Sequence, residues 1–281
     1  MNAKIYLHIG MQRTGTTFLQ RNVFPNIRNI NIVDFDRYGT DSVRNTELFS
    51  ILCNIENYSY ETVRRKVYRR FKADKINLIS NENIYGRILT HDDKRFEKLH
   101  KIQQYFPEAK IIFGIRNKKD LALSWYNKYV QEGGVASLQD FLTKISNRIN
   151  YEPYIKYLFR LFGKRNVYIY EFGNMKKDIH CYVKGICDFM GVKMPTFRNE
   201  KLNISYSMWQ LKVALIVNQF FKTSLNPNGI IPLKFPWHLP HRIIFKSPLF
   251  RDKIRGQEMA WQNKDPFWAS EMNDGFNTKE K

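Results

Sequence analysis

A strand-like apolar run that leads directly into a glycine-bounded turn is the feature that most constrains the fold of this chain. The run Lys4–Ile9 is followed by the turn Gly10–Gly15, and Thr16–Val23 has the pattern of a helix. Such a turn brings several backbone N–H groups and the positive end of a helix dipole to one point, which favours anion binding. A plain strand-to-helix turn with a capping threonine is the simpler alternative. It would not need glycine, arginine and two hydroxyls so close together.

The spacing of the two glycines matches the Walker A pattern, but the cation stands in a different place. Thr16 occupies the position of the Walker A lysine, and Arg13 lies inside the turn. A nucleoside triphosphatase also needs a carboxylate after a neighbouring strand to hold magnesium, whereas the best candidate strand, Lys110–Ile115, is followed by Arg116. A second cation suits a second anionic group on the ligand and argues against a metal. A nucleotide that carries a phosphate at each end of its ribose would need two such sites.

Short β-branched and aromatic runs alternate with amphipathic segments along the chain, which predicts an α/β fold with a parallel sheet and helices on both faces. Strands are predicted at Lys4–Ile9, Asn29–Val33, Ile76–Ser80, Lys110–Ile115 and Asn166–Tyr170. Helices are predicted at Thr16–Val23, Tyr60–Ala73, Arg95–Tyr105, Lys119–Gln131, Lys177–Met190 and Tyr206–Phe221. The Pro-rich stretch Ser224–Pro248 lacks periodicity but is too apolar for a disordered linker, so we expect an ordered, irregular excursion.

The balance of charge favours acidic partners. The 281 residues include 46 Lys and Arg against 26 Asp and Glu, a net charge of +20, and such a field attracts nucleic acid, anionic glycan, anionic lipid or a nucleotide. The three cysteines have no metal-ligand spacing, so reduced and mostly buried thiols are expected. The chain has no apolar stretch of the roughly 18 residues that a membrane span requires. A cytoplasmic location is the default expectation.

A second anion site is predicted from Arg116 and from Ser124, which follows it by eight positions on the next helix. Together with the first turn, these residues resemble the sulfotransferases that use 3'-phosphoadenosine 5'-phosphosulfate (PAPS). In that family a [Lys/Arg]-[Ser/Thr]-Gly-Thr-Thr loop holds the 5'-phosphosulfate, and an Arg with a Ser eight residues later holds the 3'-phosphate. Arg13-Thr14-Gly15-Thr16-Thr17 matches the loop. The later stretches Val167–Phe172 and Leu202–Ser207 also resemble the family.

The resemblance implies the fold and the chemistry. It implies one α/β domain over 1–281 related to the P-loop nucleotide kinases, with a core at about 4–220 and an irregular and helical extension at 221–281. It also implies PAPS as donor, adenosine 3',5'-bisphosphate (PAP) as product and no metal, with Arg13 and the amides of Gly15, Thr16 and Thr17 stabilising the oxygen that leaves with the product. The phrase HIGMQRTGTTFLQ looks most like bacterial members that decorate capsular or other surface glycans. The Arg-x-Gly-x-x-Gly segment of cytosolic members is not present as such.

The acceptor hydroxyl needs a general base, because a neutral alcohol is a poor nucleophile. In this family the base is a His or Glu, and two glutamates are candidates. Glu82 follows a predicted strand at a place that resembles the base-bearing strand end, and Glu47 follows a segment like that of the heparan-type members. We favour Glu82. His8, inside the first strand, is interpreted as a packed core residue.

The acceptor is expected to be an anionic or neutral glycan. Two basic segments could bind it, and their side chains are Arg64, Arg65, Lys66, Arg69 and Arg70 in one, and Trp237, His238, His241, Arg242 and Lys246 in the other. A variant is that the second segment contacts an anionic membrane and a lipid-linked acceptor. A P-loop kinase would use the same scaffold, but it would need a lysine and metal-holding carboxylates that are not found in this sequence. A nucleic-acid-binding module fits the charge, but no nucleic-acid motif supports it, and no nucleic-acid partner is expected.

Overall fold

The computed structural model describes residues 4–35, 46–86, 93–199, 205–233 and 238–246. The chain divides into two compact units. The first unit comprises Met1–Asn117 and Asn150–Leu202, and the second comprises Lys118–Ile149 and Asn203–Lys281. Several predictions fall on other residues and lie outside the described part of the chain. They concern Trp237, the side chain of Lys246 and residues 202–204.

A five-stranded parallel sheet forms the centre of the first unit. Its strands are β1 (Lys4–His8), β2 (Ile30–Phe35), β3 (Ile76–Ser80), β4 (Lys110–Ile115) and β5 (Val167–Glu171). They lie in the order β2-β3-β1-β4-β5. His8 is in register with Ser80 on one side and with Ile112 on the other. The α/β class with a central parallel sheet, as predicted, is confirmed.

The strand order positions the site. From β1 the chain first builds β2 and β3 on one side and then crosses to β4 on the other side. In open α/β sheets, ligands bind outside the carboxyl ends of the strands at such a switch point. The glycine-bounded turn leaves the carboxyl end of β1, so it lies at the switch point.

Helices flank the sheet within the first unit. They are α1 (Thr16–Phe18), α2 (Thr46–Cys53), α3 (Tyr60–Lys66), α4 (Arg95–Tyr105), α7 (Glu152–Phe162), α8 (Phe172–Lys177) and α9 (Ile179–Met190). Helix α1 continues directly into a π-helical turn at Leu19–Val23. All five residues of β3 are buried, as expected for a central strand of a parallel sheet. The apolar core includes Phe18, Leu78, Ile112, Val183 and Ile186.

The second unit is mostly helical. It contains α5 (Lys118–Gln131), α6 (Leu138–Ile149), α10 (Met208–Phe220) and α11 (Pro240–Lys246), with a short parallel pair formed by β6 (Phe221–Lys222) and β7 (Ile231–Pro232). Asn218 ties α10 to the end of α5, because its Nδ2 donates to the carbonyls of Val130 and Gly134 at 2.8 Å. The buried hydrogen bonds of this amide fix the two segments against each other.

Several boundaries differ from the prediction. The predicted helix Tyr60–Ala73 ends at Lys66 and is followed by a 3₁₀ turn at Tyr68–Arg70. Helices α2, α6 and α7 were not predicted. The predicted irregular stretch Ser224–Pro248 includes β7 and α11 in its described part. Of the three cysteines, Cys53 and Cys187 are buried and Cys181 is exposed, which agrees with mostly buried thiols. Burial raises the pKa of Cys187 to about 11.

Candidate active site

The turn after β1 packs closely against β4. The N–H of Ile9 donates to the carbonyl of Ile112 at 3.0 Å, and that of Met11 donates to Gly114 at 3.3 Å. Gly10 permits this approach, because a Cβ there would lie 3.0 Å from the Tyr170 hydroxyl and 3.3 Å from the Gly114 nitrogen. The turn is therefore held by backbone contacts.

Two residues of the turn have left-handed backbone conformations. Arg13 has φ of 71° and Gly15 has φ of 87°. Thr14, between them, is fully buried, and its hydroxyl donates to the Met11 carbonyl at 2.5 Å. A positive φ at a residue other than glycine is uncommon and clusters at functional sites. The turn thus holds Arg13 in a conformation that the local sequence alone does not favour.

The helix that follows leaves its first amides outside its own hydrogen bonding. The carbonyl of Gly15 accepts from Phe18 at 3.0 Å and from Leu19 at 3.2 Å. The N–H groups of Thr16 and Thr17 precede these first bonds of the helix, and such groups are donors for a capping group or an anion. Thr16 and Thr17 are among the residues that the sequence predicts to bind the donor.

Arg116 lies beside the turn, at the end of β4. Its Nη1 donates to the Arg13 carbonyl at 3.3 Å, and its guanidinium carbon lies 5.0 Å from the centre of the Phe172 ring. Ser124 is a buried residue of α5. It belongs to the second unit, whereas Arg116 belongs to the first. A shared phosphate site of Arg116 and Ser124 therefore stays a prediction.

Glu82 is brought to the same turn. It begins a 3₁₀ turn directly after β3, where the Asn81 side chain accepts from the Asn83 N–H at 2.9 Å. The Thr16 hydroxyl donates to Glu82 Oε2 at 2.5 Å. Both residues are buried, with exposures of 2% for Thr16 and 6% for Glu82. The favoured candidate base therefore contacts the predicted donor loop.

Glu47 lies on α2 in a different environment. It is exposed, and its Oε1 lies 2.7 Å from Lys66 Nζ. The hydrogen bond from Lys66 holds the pKa of Glu47 below its ordinary value. The exposed ion pair with Lys66 accounts for Glu47 as a surface carboxylate, so Glu82 is the better candidate for the general base.

His8 links three elements beneath the turn. Its Nδ1 lies 2.6 Å from Ser80 Oγ and its Nε2 lies 2.7 Å from the Tyr170 hydroxyl. Gln20 donates to the same Ser80 oxygen at 3.0 Å. Burial lowers the pKa of His8 to about 3, so the imidazole is neutral at pH 7. His8 is a packed core residue, as interpreted from the sequence.

Asp34 is a buried carboxylate near the site that sequence reasoning missed. Asn81 Nδ2 donates to Asp34 Oδ2 at 3.3 Å, which connects the ends of β2 and β3. The predicted strand stopped at Val33, two residues before its observed end at Phe35, because Asp34 reads as a loop residue. The preceding run Ile30–Val33, which is β-branched at three of its four positions, was the available signal for a longer strand.

The second basic segment, which contains His238, His241 and Arg242, is exposed only in part. His241 is buried, and its Nε2 lies 2.9 Å from Asn218 Oδ1 while Nδ1 lies 3.1 Å from the Tyr206 hydroxyl. Burial lowers the pKa of His241 to about 4. The expectation that His241 contacts a glycan is therefore wrong, since this ring holds α10 and α11 together. The cations of the first segment, Arg64, Arg65, Arg69 and Arg70, are exposed.

Two further observations concern metals and membranes. Within the residues that the structure describes, three or more His, Cys, Asp or Glu side chains do not gather anywhere in a way that could hold a metal ion. None of the described helices combines the length and the apolarity needed to cross a bilayer.

Comparison with known proteins bears on both fold and family. The chain is similar to the crystal structure of a sulfotransferase from Alicyclobacillus acidocaldarius, with 19% identity, a TM-score of 0.51 and coverage of 72% of this chain and 87% of the other. Two further similar structures are mouse sulfotransferase SULT7A1 complexed with PAP and the sulfotransferase domain from the curacin biosynthetic pathway. The mouse enzyme has 14% identity and a TM-score of 0.42, and the match covers 97% of this chain and 89% of the mouse chain. The curacin domain has 12% identity and a TM-score of 0.43, and the match covers 97% of this chain and 98% of that domain.

A search of curated proteins finds no match. The family model described as "Sulfotransferase domain" matches residues 6–224, which include parts of both compact units. This stretch contains the turn, Glu82, Arg116 and Ser124. The chain therefore belongs to the sulfotransferase domain family and is an enzyme of that class.

Proposed function

We propose that this sulfotransferase moves a sulfonyl group from PAPS to a hydroxyl of a carbohydrate acceptor, without a metal and with Glu82 as general base. The observation that carries the proposal is the hydrogen bond from Thr16 to Glu82. It places a buried carboxylate at the first residue of the helix after the predicted donor loop.

The residues of the turn fit the donor. The turn combines two positive φ angles with the first helical amides, those of Thr16 and Thr17, and Arg116 lies beside it. Such features favour phosphate binding. PAPS supplies a transferable sulfonyl group and a phosphate leaving group. The proposed cofactor-binding set is Arg13, Thr14, Gly15, Thr16, Thr17, Arg116 and Ser124.

Charge develops during the transfer at two places. As the acceptor oxygen forms its bond to sulfur, its proton passes to a Glu82 carboxylate oxygen. As the old S–O bond breaks, the electron pair stays on the phosphate oxygen of PAP, where Arg13 and the amides of Gly15, Thr16 and Thr17 stabilise it. Loss of one such donor typically costs about a hundredfold or more in rate.

The acceptor class is proposed from charge and resemblance. Four exposed arginines lie on α3 and the turn after it, and they suit an acceptor that already carries carboxylate or sulfate groups. The phrase His8–Gln20 resembles bacterial enzymes that act on capsular or other surface glycans. We therefore propose a bacterial surface polysaccharide as acceptor and a cytoplasmic site of action.

A transfer assay tests the acceptor class. The purified chain is incubated with ³⁵S-labelled PAPS and EDTA, and with either chondroitin, dextran or 4-nitrophenol as acceptor. Label is expected on a polysaccharide, and EDTA is expected to have no effect. Label on the phenol alone would contradict a carbohydrate acceptor.

Paired substitutions test the base. Glu82→Gln keeps the size of the side chain, so PAP should still bind, while turnover should fall by about a hundredfold or more. Glu47→Gln is the matched control and should leave turnover little changed. The reverse result would assign the base to Glu47.

A further inference from the structure

Helix α10 presents an apolar stripe to solvent. Trp209, Val213, Ile216 and Phe220 are exposed by 44%, 40%, 60% and 52%. Their spacing of four, three and four residues places them within about 60° of the helix circumference. The stripe runs along nearly the whole length of the helix.

The inward face of α10 is the more polar of the two. It carries Gln210 and Asn218, both fully buried, together with Leu211 and Ala214. Gln210 Oε1 accepts from the Ser207 N–H at 2.8 Å, and Asn218 donates to two carbonyls of the same unit. This arrangement is the reverse of an ordinary surface helix, whose apolar stripe faces the core. On α10 the large apolar side chains of the stripe are therefore exposed, while two amide side chains are buried.

Helix α11 packs against α10 and carries further exposed apolar side chains. The ring of Phe245 lies 5.2 Å from that of Trp209 in an edge-to-face contact. On α11, Ile243 and Ile244 are exposed by 60% and 47%. We call the set Trp209, Val213, Ile216, Phe220, Ile243 and Ile244 the α10/α11 face. Exposed apolar side chains gathered on two packed helices mark an interaction site.

The sequence around this face has charge of one sign only. From residue 201 to residue 251 the chain contains no Asp or Glu, and its cations are Lys201, Lys212, Lys222, Lys234, Arg242, Lys246 and Arg251. Lys212 lies on α10 beside the stripe and Lys222 follows it in β6. Large apolar side chains within a stretch that contains cations and no carboxylate suit a surface that is apolar below and anionic above.

We propose that the α10/α11 face docks this enzyme on the surface of an anionic lipid bilayer. The Trp209 and Phe220 rings and the isoleucines enter the boundary between headgroups and acyl chains, and the flanking lysines and Arg242 lie near the lipid phosphates. The inference rests on the second unit alone and does not depend on the proposed acceptor or base.

Two other occupants fit this face less well. A second copy of the chain would bring the same cations against themselves in a two-fold interface, with no carboxylate in residues 201–251 to pair with them. A nucleic acid would match the charge, but binding to single strands uses aromatic stacking on bases, and four of the six side chains of the face are aliphatic.

Vesicle sedimentation tests the proposal. The probes are vesicles of phosphatidylcholine alone and vesicles with about 30% phosphatidylglycerol, because anionic lipid supplies the attraction. The wild-type chain should bind the anionic vesicles and not the neutral ones. The double variant Ile216→Ser/Phe220→Ser should bind at least about tenfold more weakly, since two apolar side chains no longer enter the interface.

Tyr60→Ser is the matched control, because Tyr60 is an exposed aromatic residue of the first unit. It should bind vesicles as the wild type does. The proposal would be overturned by wild-type chain that stays in solution with both kinds of vesicle, or by a double variant that binds as tightly as the wild type. A wild-type dimer that the double variant converts to a monomer in ultracentrifugation would assign the face to a second copy. PAP binding, measured on all three proteins, reports separately on the donor site.

Discussion

The Thr16 hydroxyl donates a hydrogen bond of 2.5 Å to Glu82 Oε2 and so joins the predicted donor loop to the end of β3. The two residues are 66 positions apart in sequence, and both are buried. A buried carboxylate needs donors to offset its lost hydration. The contact therefore fixes Glu82 relative to the loop, and it makes Thr16 a positioning residue for the proposed base.

Replacing Thr16 tests this role. Thr16→Val keeps the shape of the side chain and removes the hydroxyl, so a buried carboxylate loses a donor. We expect the free energy of unfolding to fall by about 1–3 kcal/mol and turnover to fall with it. Thr16→Ser keeps the hydroxyl and should restore turnover. Urea unfolding and the transfer assay measure the two effects, and equal turnover in the valine and serine variants would contradict the positioning role.

Gly15 should tolerate no side chain. Its φ is 87°, and a Cβ would lie 3.0 Å from Phe172 Cδ2 and 3.1 Å from the Tyr182 hydroxyl. We expect Gly15→Ala to destabilise the fold by about 1–3 kcal/mol through strain and to weaken PAP binding, because the loop must shift. Gly191→Ala is the matched control, since Gly191 has φ of 67° with nothing within 4 Å of the added Cβ. That variant should lose stability but bind PAP normally, and equal PAP affinity in both variants would contradict the tight fit.

The stability of the protein should depend on pH through His8. Its folded-state pKa is about 3, below the unfolded value of 6.5, so the unfolded state binds a proton that the native state does not. Stability is therefore full above pH 6.5 and is lost as pH falls toward 3, by about 1.4 kcal/mol per pH unit for this residue. His241 acts in the same direction.

Urea unfolding between pH 7 and pH 4.5 measures this dependence. His8→Gln should unfold more easily at pH 7, because the contacts to Ser80 and Tyr170 change, but its stability should decline less steeply with falling pH than that of the wild type. Parallel curves for the two proteins would show that His8 does not remain neutral in the folded state.

The local structure could be predicted where pattern alone decides it. β3, β4 and α4 have the predicted bounds, because each is a run with a clear period and a clear end. Helix α6 was missed although Leu138, Phe141, Leu142 and Ile145 have helical spacing. The prediction extended helix α3 too far, because the run Arg64–Arg70 contains no residue that marks a helix boundary.

The site could be predicted only in part. The turn, Arg116 and Glu82 follow strands, and the carboxyl ends of parallel strands share one edge, so their approach could be inferred. The positive φ of Arg13 and the contacts of His8 with Ser80 and Tyr170 depend on strand order. Strand order is set by packing among distant segments, and no local pattern encodes it.

Calorimetric titration with PAP in the absence of magnesium tests the central claim most directly. The account predicts micromolar binding to the wild type, on the order of −8 kcal/mol, and a large loss of affinity in Arg116→Ala, because the guanidinium beside the loop is removed. Arg64→Ala is the control, since Arg64 is exposed on α3, and it should bind as the wild type does. No PAP binding to the wild type, with binding of ATP and magnesium instead, would contradict the account and assign the loop to phosphoryl transfer.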